Sequence, residues 1–379
     1  MSVGESALAD SPCGTATTVT VTIRELSSLA ELAAMRTEWN ALADEVVAGP
    51  NMLPGVVEAW WRHLGKGRLR VVVARDGAGR LVGLAPLHER VLVGRPVVRW
   101  VGHGMGAVGE LLLRPASAHE AAEAIWTHLA DTDRVVLQLV EYRHGGGGLD
   151  ELRRSDRWQV TAELRDYCPY IDIRGQASAA ELLAEPGRRK LRQNMARVDR
   201  AIVEERTALR VHVLTTPAEI DAVIDELSVV HDNAEQAQER LHFLRGARRD
   251  FTLDALRSTA ADGRLLLVLL RQGERPVGFH VALVTGDTAF AWLARFDPVA
   301  AALAPGHVML RELVDLATAR GLDTVDLQLG DDPYKLRWSS GAYDTFGVLA
   351  AAPGRLATAR ATASAIAFAR RQAGRFHRH

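Results

Sequence analysis

Cysteine and long apolar runs are both scarce in this sequence of 379 residues. Its two cysteines, Cys13 and Cys168, are too few for a disulfide framework or a four-thiolate zinc site. The longest stretches without Asp, Glu, Lys or Arg run 13 residues, whereas a membrane-spanning helix needs about 20 apolar residues. Residues 1–18 also lack the continuous apolar core of a signal peptide. The sequence therefore predicts a cytoplasmic protein with no membrane partner.

An excess of charge of either sign is absent as well. Lys and Arg number 46 and Asp and Glu 47, a formal net charge of −1, so no overall basic excess indicates a nucleic-acid partner. Only Lys66, Lys190 and Lys335 are lysines, and the other 43 basic residues (46 − 3) are arginines. If this chain uses arginine wherever arginine and lysine would serve equally well, its few lysines should occur more often at sites that need a compact, titratable ammonium.

The length favours two domains, because 379 residues exceed what one ordinary core holds. Both halves show the same order of patterns: helices, then meandering strands, then a helix and a strand. Each half is predicted to be an α/β (α+β) domain, with a mixed and mostly antiparallel sheet flanked by helices. The predicted organisation is a disordered tail over 1–18, domains over 19–165 and 166–350, and a basic helix over 351–379.

One glycine pattern matches the dinucleotide-binding motif but lacks its structural setting. Residues 104–109 read Gly-Met-Gly-Ala-Val-Gly. That motif needs a helix to begin within it, so that the helix N-terminus faces a diphosphate. Here residues 110–114 read as another strand. We interpret the pattern as a glycine-rich turn.

Residues 289–338 carry the most informative local pattern. A predicted strand over 289–296 is followed by a helix over 305–320 and a buried strand over 324–329. The helix opens with Pro305 and Gly306; proline presets the first helical turn, and glycine lets a ligand approach the backbone. The unpaired N–H groups and positive dipole of a helix start suit a diphosphate, although an ordinary helix start reads the same way.

The residues that follow carry a resemblance to a known family. The sequence resembles the GNAT acyltransferase superfamily, and within it the two-domain CelD/BcsL-type acetyltransferases and their FemAB-like relatives. A similar small-Pro-Gly helix start occurs in that branch, with the pattern Gly-Asp-x-x-Tyr-Lys-x-x-Trp after the next strand. The residues that match this pattern in full are Gly330, Asp331, Tyr334, Lys335 and Trp338. A looser match to the N-terminal plan of the family involves Pro54, Trp60 and Ala85-Pro86-Leu87.

The resemblance implies tandem GNAT-like domains. The first would be degenerate, and the second would bind acetyl-CoA or another acyl-CoA as co-substrate, without a metal. The pantetheine arm would lie beside the strand over 289–296, and the diphosphate on the start of the next helix. The cofactor-binding residues implied are Ala294, Arg295, Ala304, Pro305, Gly306, His307, Val308 and Met309.

Acyl transfer needs a base that takes a proton from the nucleophile and an acid that protonates the departing thiolate. By resemblance, Tyr334 would protonate the thiolate and Lys335 would hold a substrate anion or the carbonyl oxygen. Asp331 would orient the substrate or act as base. His231 and His280 are further candidates for the base, because an unperturbed histidine pKa of about 6.5 suits that role. The alternative for each is a core or surface histidine without a catalytic role. The alternative is that the motif is a structural cluster joining the strand end to the following segment.

Substrate binding is predicted for a further set of polar and aromatic side chains. These are Arg192, Asn194, Trp292, Gln328 and Trp338. Arg192 and Asn194 belong to an Arg-rich predicted helix over 188–204. That helix is either a solvated face or an anion-binding wall for CoA phosphates, an acidic substrate or tRNA.

The sequence thus predicts an acyl-CoA-dependent N-acyltransferase, an acetyltransferase by resemblance, in which a small-molecule amine attacks the thioester directly. One alternative is an aminoacyl-tRNA-dependent transferase of the FemAB kind, with tRNA as the partner. The net charge near zero counts against that alternative, and the basic C-terminal helix counts for it. Another alternative is a non-catalytic scaffold with the same fold, against which Tyr334 and Lys335 count together.

Overall fold

The computed structural model describes residues 20–106, 108–132, 135–143, 145, 147–204, 209–237 and 242–376. Cys13 and the tail predicted over 1–18 lie outside these ranges. The helices are α1 (Leu29–Glu45), α2 (Pro54–Leu64), α3 (Ala118–Thr132), α4 (Gly148–Arg154), α5 (Ala179–Ala184), α6 (Arg189–Glu204), α7 (Pro217–Ala237), α8 (Ala247–Ala261), α9 (Pro305–Ala319), α10 (Pro333–Trp338) and α11 (Leu356–Phe376). The strands are β1 (Thr22–Leu26), β2 (Arg68–Arg75), β3 (Leu81–Leu92), β4 (Arg95–Trp100), β5 (Leu112–Leu113), β6 (Val136–Arg143), β7 (Gln159–Asp172), β8 (Leu209–Leu214), β9 (Leu265–Gln272), β10 (Arg275–Thr285), β11 (Thr288–Phe296), β12 (Thr324–Asp326) and β13 (Gly341–Ala351).

All of these strands join one sheet in the order β1-β2-β3-β4-β6-β13-β7-β12-β11-β10-β9-β8, with β5 beside β3. Neighbouring strands are antiparallel except for the pairs β4–β6 and β11–β12. The predicted fold class, a mixed and mostly antiparallel sheet flanked by helices, is confirmed.

The two halves of the chain are joined in the middle of this sheet by its last strand. β13 pairs with β6 on one side and with β7 on the other, so that Thr345 lies opposite both Arg143 and Asp166. The predicted boundary between residues 165 and 166 falls inside β7. The sheet is therefore continuous where the sequence pattern suggested a division.

Helices from both halves share one apolar core on a face of the sheet. Trp39 of α1 and Trp60 of α2 belong to the same buried cluster as Phe251 of α8 and Phe279 of β10. Each large apolar side chain buried in this way contributes about 1.5–3 kcal/mol. The contact between halves also has a polar component, because the Arg264 guanidinium donates to both carboxylate oxygens of Asp44, at 2.6 and 2.7 Å.

Each half contains one short parallel pair in which at least one strand continues beyond the paired residues. In the first half, Val97 and Val98 of β4 pair with β6. In the second half, the pairing of β11 with β12 ends at Phe290 and Asp326, although β11 continues to Phe296. The strand predicted over 324–329 therefore ends early. The chain turns at Gln328, whose φ of +57° is incompatible with an extended strand.

In the first half, the gap between β4 and β6 beyond their paired residues is filled by residues of the chain itself. Gly109 forms a parallel bridge with Tyr142, donates its N–H to the Glu141 carbonyl at 3.0 Å and accepts from the Arg143 N–H at 2.9 Å. A Cβ on Gly109 would lie 2.4 Å from the Trp100 ring, so only glycine fits there. Gly104 and Gly106 lie in turns and Gly109 in the bridge, and no helix begins among the described residues 104–106 and 108–109.

None of the helices among the described residues is both long and apolar enough to span a membrane.

Candidate active site

A cavity of about 460 Å³ lies where β11 runs on beyond its pairing with β12. Its walls come from the end of α7, from β10 and β11, and from the starts of α9 and α10. The residues that line it are Ala234, Glu235, His280, Ala294, Arg295, Phe296, Pro298, Ala301, Ala304, Pro305, Gly306, His307, Met309, Asp332 and Tyr334. The set is mostly apolar, with a few ionisable groups, as is usual for small-molecule sites.

The segment leading into α9 is fixed by Asp297. One carboxylate oxygen accepts from the Val299 N–H at 3.0 Å, and the other accepts from Asn233 and Arg275 at 2.8 and 2.6 Å. Burial raises the pKa of Asp297, but these hydrogen bonds and the charge of Arg275 bring it below its ordinary value. Ala304, with φ of +45°, then turns the chain into Pro305, the first residue of α9.

The structure brings together seven of the eight residues predicted for cofactor binding. Ala294, Arg295, Ala304, Pro305, Gly306, His307 and Met309 all line the cavity. Val308 is buried in a neighbouring apolar cluster instead. A Cβ added to Gly306 would meet no atom within 4 Å, so there is room for a ligand beside this first turn.

The two candidate histidines are placed differently. His280 on β10 lies opposite Ala294 in the sheet and faces the cavity. His231 is fully buried on α7 outside the cavity, and its Nε2 accepts from the Phe243 N–H at 3.1 Å. Burial lowers the pKa of each to about 4, helped by Lys335 for His280 and by Arg295 for His231. Both are therefore neutral at pH 7, and only His280 can reach a ligand in the cavity.

The motif over 330–338 is divided between surface, cavity and interior. Asp331 is exposed and lies outside the cavity, whereas its neighbour Asp332 and Tyr334 line it. Lys335 is 9% exposed, and its Nζ donates to the Leu329 carbonyl at 2.5 Å. Burial lowers the pKa of Lys335, against the opposing charge of Asp332. Lys335 thus holds the loop after β12 from behind the cavity wall.

Trp338, predicted to bind substrate, is fully buried below the cavity. Its indole Nε1 donates to His307 Nδ1 at 2.9 Å. The Arg188 guanidinium donates to the Trp338 carbonyl at 2.5 Å. The end of α10 is thereby attached to both α9 and the segment before α6.

The other residues predicted for substrate binding are not gathered at the cavity. Arg192 donates to the Leu183 and Ala184 carbonyls at 3.2 Å. Trp292 lies in a separate narrow aromatic cleft, with its ring centroid 6.1 Å from that of Phe251. Gln328 folds back, and both its backbone N–H and its amide donate to Asp326 Oδ1 at 2.8 Å.

Glu235 and Asp332 line the cavity but were not among the predicted site residues. Glu235 is 4% exposed and accepts from Arg295 Nε at 2.5 Å. The signal in the sequence is its position four residues after His231, on the same face of α7. The Arg295–Glu235 ion pair adds a half-buried cation and a buried anion to the cavity wall.

A basic groove runs beside the cavity, between α6 and α10. It has two adjoining parts of about 790 and 460 Å³, which share Asn194, Arg197 and Arg337. The smaller part shares Ala301, Ala304 and His307 with the cavity. The groove-lining residues of the larger part are Glu185, Gly187, Arg188, Lys190, Leu191, Gln193, Asn194, Arg197, Leu336, Arg337 and Ser339. The cavity thus opens onto a surface with a cationic excess.

One group among the described residues has the composition of a metal site. Ligand atoms of His231, Asp232 and His242 lie within 4.8 Å of one another. However, the Phe243 N–H donates to His231 Nε2, so the neutral ring carries its proton on Nδ1, the nitrogen left for a metal. Asp232 is also engaged, by Arg245 Nε at 2.8 Å. These hydrogen bonds oppose metal binding, and the absence of a metal stays a prediction.

Comparisons with known proteins agree with this architecture. Residues 189–336 match the Acetyltransferase (GNAT) domain family. The structure of FemX superposes with a TM-score of 0.62 at 11% identity, covering 84% of this chain and 96% of that one. The C-terminal domain (DUF2156) of a lysylphosphatidylglycerol synthetase from Agrobacterium fabrum gives a TM-score of 0.57 at 13% identity, with 89% and 97% covered. L-PGS from Bacillus licheniformis gives 0.50 at 14% identity, with 79% and 91% covered.

The search of curated proteins gave no match. The structural similarities, at identities this low, establish the fold alone, and the domain match adds the activity class. On the match of residues 189–336 to the GNAT domain family, the chain is an acyltransferase.

Proposed function

We propose that the chain is an acyl-CoA-dependent N-acyltransferase of the CelD/BcsL type, which acylates a small-molecule amine. The observation that carries this proposal is the cavity, which begins at the open first turn of α9 and reaches His280. An acyl-CoA would place its diphosphate at Pro305–Gly306 and its thioester near His280. The helix N-terminus favours the diphosphate, and the apolar walls favour the pantetheine arm.

The reaction would proceed by direct attack. The amine nitrogen forms a bond to the thioester carbon, and His280, neutral at pH 7, takes the proton that the amine loses. The C–S bond then breaks, and Tyr334 in the cavity wall protonates the thiolate. Backbone N–H groups stabilise the oxyanion, and the enclosed cavity supplies positioning. No covalent enzyme intermediate is required.

A second candidate function is transfer from aminoacyl-tRNA, which the resemblance to FemAB-like proteins implies. The basic groove supports it, because Lys190, Arg197 and Arg337 would face the phosphates of a larger donor. Native mass spectrometry of the purified protein distinguishes the two donors. We expect a co-purifying CoA thioester; tRNA in its place would overturn the CoA assignment.

Gly306→Asp is expected to weaken CoA binding about tenfold or more, through repulsion of the diphosphate at a helix N-terminus. The position has room for a side chain, so charge and not crowding is tested. Gly306→Ala is the matched control and should bind CoA nearly as well as wild type. Isothermal titration calorimetry measures the CoA affinity of both variants. A Gly306→Asp affinity equal to that of wild type would show that the diphosphate does not bind at this turn.

Binding is expected to saturate at one CoA per chain. The equivalent gap of the first half is occupied by Gly109 and by the Trp100 and Tyr142 rings, whose centroids lie 5.3 Å apart. The first half would instead have a structural role, since its helix α2 packs on α8 of the second half. The calorimetric stoichiometry tests this, and a value of two would show that the first half also binds the donor.

A further inference from the structure

His307 lies where the cavity meets the basic groove. It is the third residue of α9, it lines both spaces, and it is 8% exposed. Its ring is enclosed by two aromatic residues of α10: the Tyr334 ring stands edge-on to it, with centroids 6.3 Å apart at 89°, and the Trp338 ring lies 6.4 Å away. The imidazole is therefore held in one orientation beside the open first turn of α9.

The hydrogen bond from Trp338 determines which nitrogen of His307 carries a proton. An indole N–H can only donate, and here it donates to His307 Nδ1 at 2.9 Å between two buried side chains. Nδ1 must therefore be unprotonated. A neutral imidazole then carries its proton on Nε2, and within the described part of the chain no group accepts a hydrogen bond from that atom.

The same bond keeps the ring neutral. Protonation would place a second N–H against the indole N–H and lose the bond. Burial, and then the charge of Arg337, also lower the pKa of His307. The neighbouring cations Arg197 and Arg337 attract an anion to this region, whereas His307 offers a single directional donor without charge.

We propose that Trp338 is a positioning residue, which fixes His307 as a neutral Nε2–H donor to the diphosphate of the acyl donor. The inference rests on the proposed function. In this inference Trp338, the tryptophan of the 330–338 motif, acts through His307 and does not contact the substrate. The inference also gives the start of α9 a side-chain donor, which matters because the His307 and Val308 N–H groups already donate to the Ala304 carbonyl, at 2.9 and 3.3 Å.

The test compares two ligands, CoA and pantetheine, because pantetheine lacks the diphosphate. His307→Leu removes the donor and should weaken CoA binding about tenfold or more, as expected for a hydrogen bond to a charged group. Its affinity for pantetheine should not change. His307→Gln places an amide N–H near the position of Nε2 and should keep CoA affinity within about threefold of wild type.

Trp338→Phe retains an aromatic ring but removes the indole donor. It should weaken CoA binding severalfold and again leave pantetheine unaffected. NMR of protein labelled with ¹⁵N-histidine reports the tautomer directly: wild type should show a lone pair on Nδ1 and a proton on Nε2, and the variant a mixture. Because Trp338 is buried, the wild-type spectrum and the His307 variants keep the test valid if this variant folds poorly.

The outcomes separate this inference from the proposed function. A wild-type chain that binds no CoA overturns both. If wild type binds CoA, equal CoA affinity in His307→Leu overturns the inference alone. A parallel loss of CoA and pantetheine affinity also overturns it, because His307 would then be merely structural. A wild-type His307 protonated on Nδ1 overturns the role of Trp338.

Discussion

Lys335→Ala should lower turnover by at least about 10²-fold, the lower range for loss of a positioned charged group. Lys335 is a compact cation behind the cavity wall, it holds the Leu329 carbonyl, and its charge acts on His280. Its removal would release the loop that carries Asp332 and change the field at the proposed base. Lys335→Arg should restore little of the lost turnover, because a planar guanidinium is larger than the space that an ammonium fills.

Steady-state kinetics of folded variants measure this effect. Lys335→Met keeps most of the buried stem without the charge and separates packing from electrostatics. Lys66→Ala, at an exposed lysine of the first half, is the control and should turn over normally. A folded Lys335→Ala variant with reduced melting temperature but near-normal turnover would show that this lysine is only a structural link.

His280→Gln should reduce kcat about 10²-fold or more, as is typical for loss of a general base. His280 is the candidate histidine that faces the cavity. His231→Gln, at the candidate outside the cavity, should lower stability more than kcat. If the His231 variant loses turnover and the His280 variant does not, the assignment of the base is reversed.

The pH dependence of kcat gives a second measure of His280. A base must be neutral to accept a proton, and burial, with Lys335, lowers the pKa of His280 to about 4. Activity is then present above that pKa and lost as the pH falls through it, so the acid limb should lie near pH 4. Lys335→Met should move the limb to higher pH, since one of the two causes is removed. An acid limb near the unperturbed histidine value of about 6.5 in wild type would contradict the assignment.

Local patterns in the sequence predicted the elements that depend on neighbouring residues. The strand over 289–296, the start of the helix at Pro305 and the course of α6 follow from apolar periodicity and from proline. The wall of the cavity near α9 could therefore be predicted before its geometry was known. The resemblance of residues 330–338 to a motif of GNAT-type acyltransferases added the prediction of acyl transfer.

The features that could not be predicted depend on pairing between strands distant in the sequence and on the direction in which side chains of a short helix point. No local pattern indicates that β13 separates β6 from β7. Asp331 and Asp332 are adjacent and chemically alike, and only the onset of α10 decides which of them faces the cavity. Trp338 is directed inward by the same short helix. Side-chain direction at a helix start is fixed by tertiary packing, which residue type alone does not reveal.

The position of β13 affects how the protein can be made. It is formed by residues 341–351, so β6 and β7 lack their shared neighbour until those residues have left the ribosome. Until then the nascent chain carries two open strand edges, each with unpaired N–H and C=O groups. Closure requires contacts between residues about 200 positions apart, such as Thr345 with Arg143, and contacts of such high sequence separation form slowly. The growing polypeptide is thus exposed to misassembly until residues 341–351 have emerged and paired with β6 and β7.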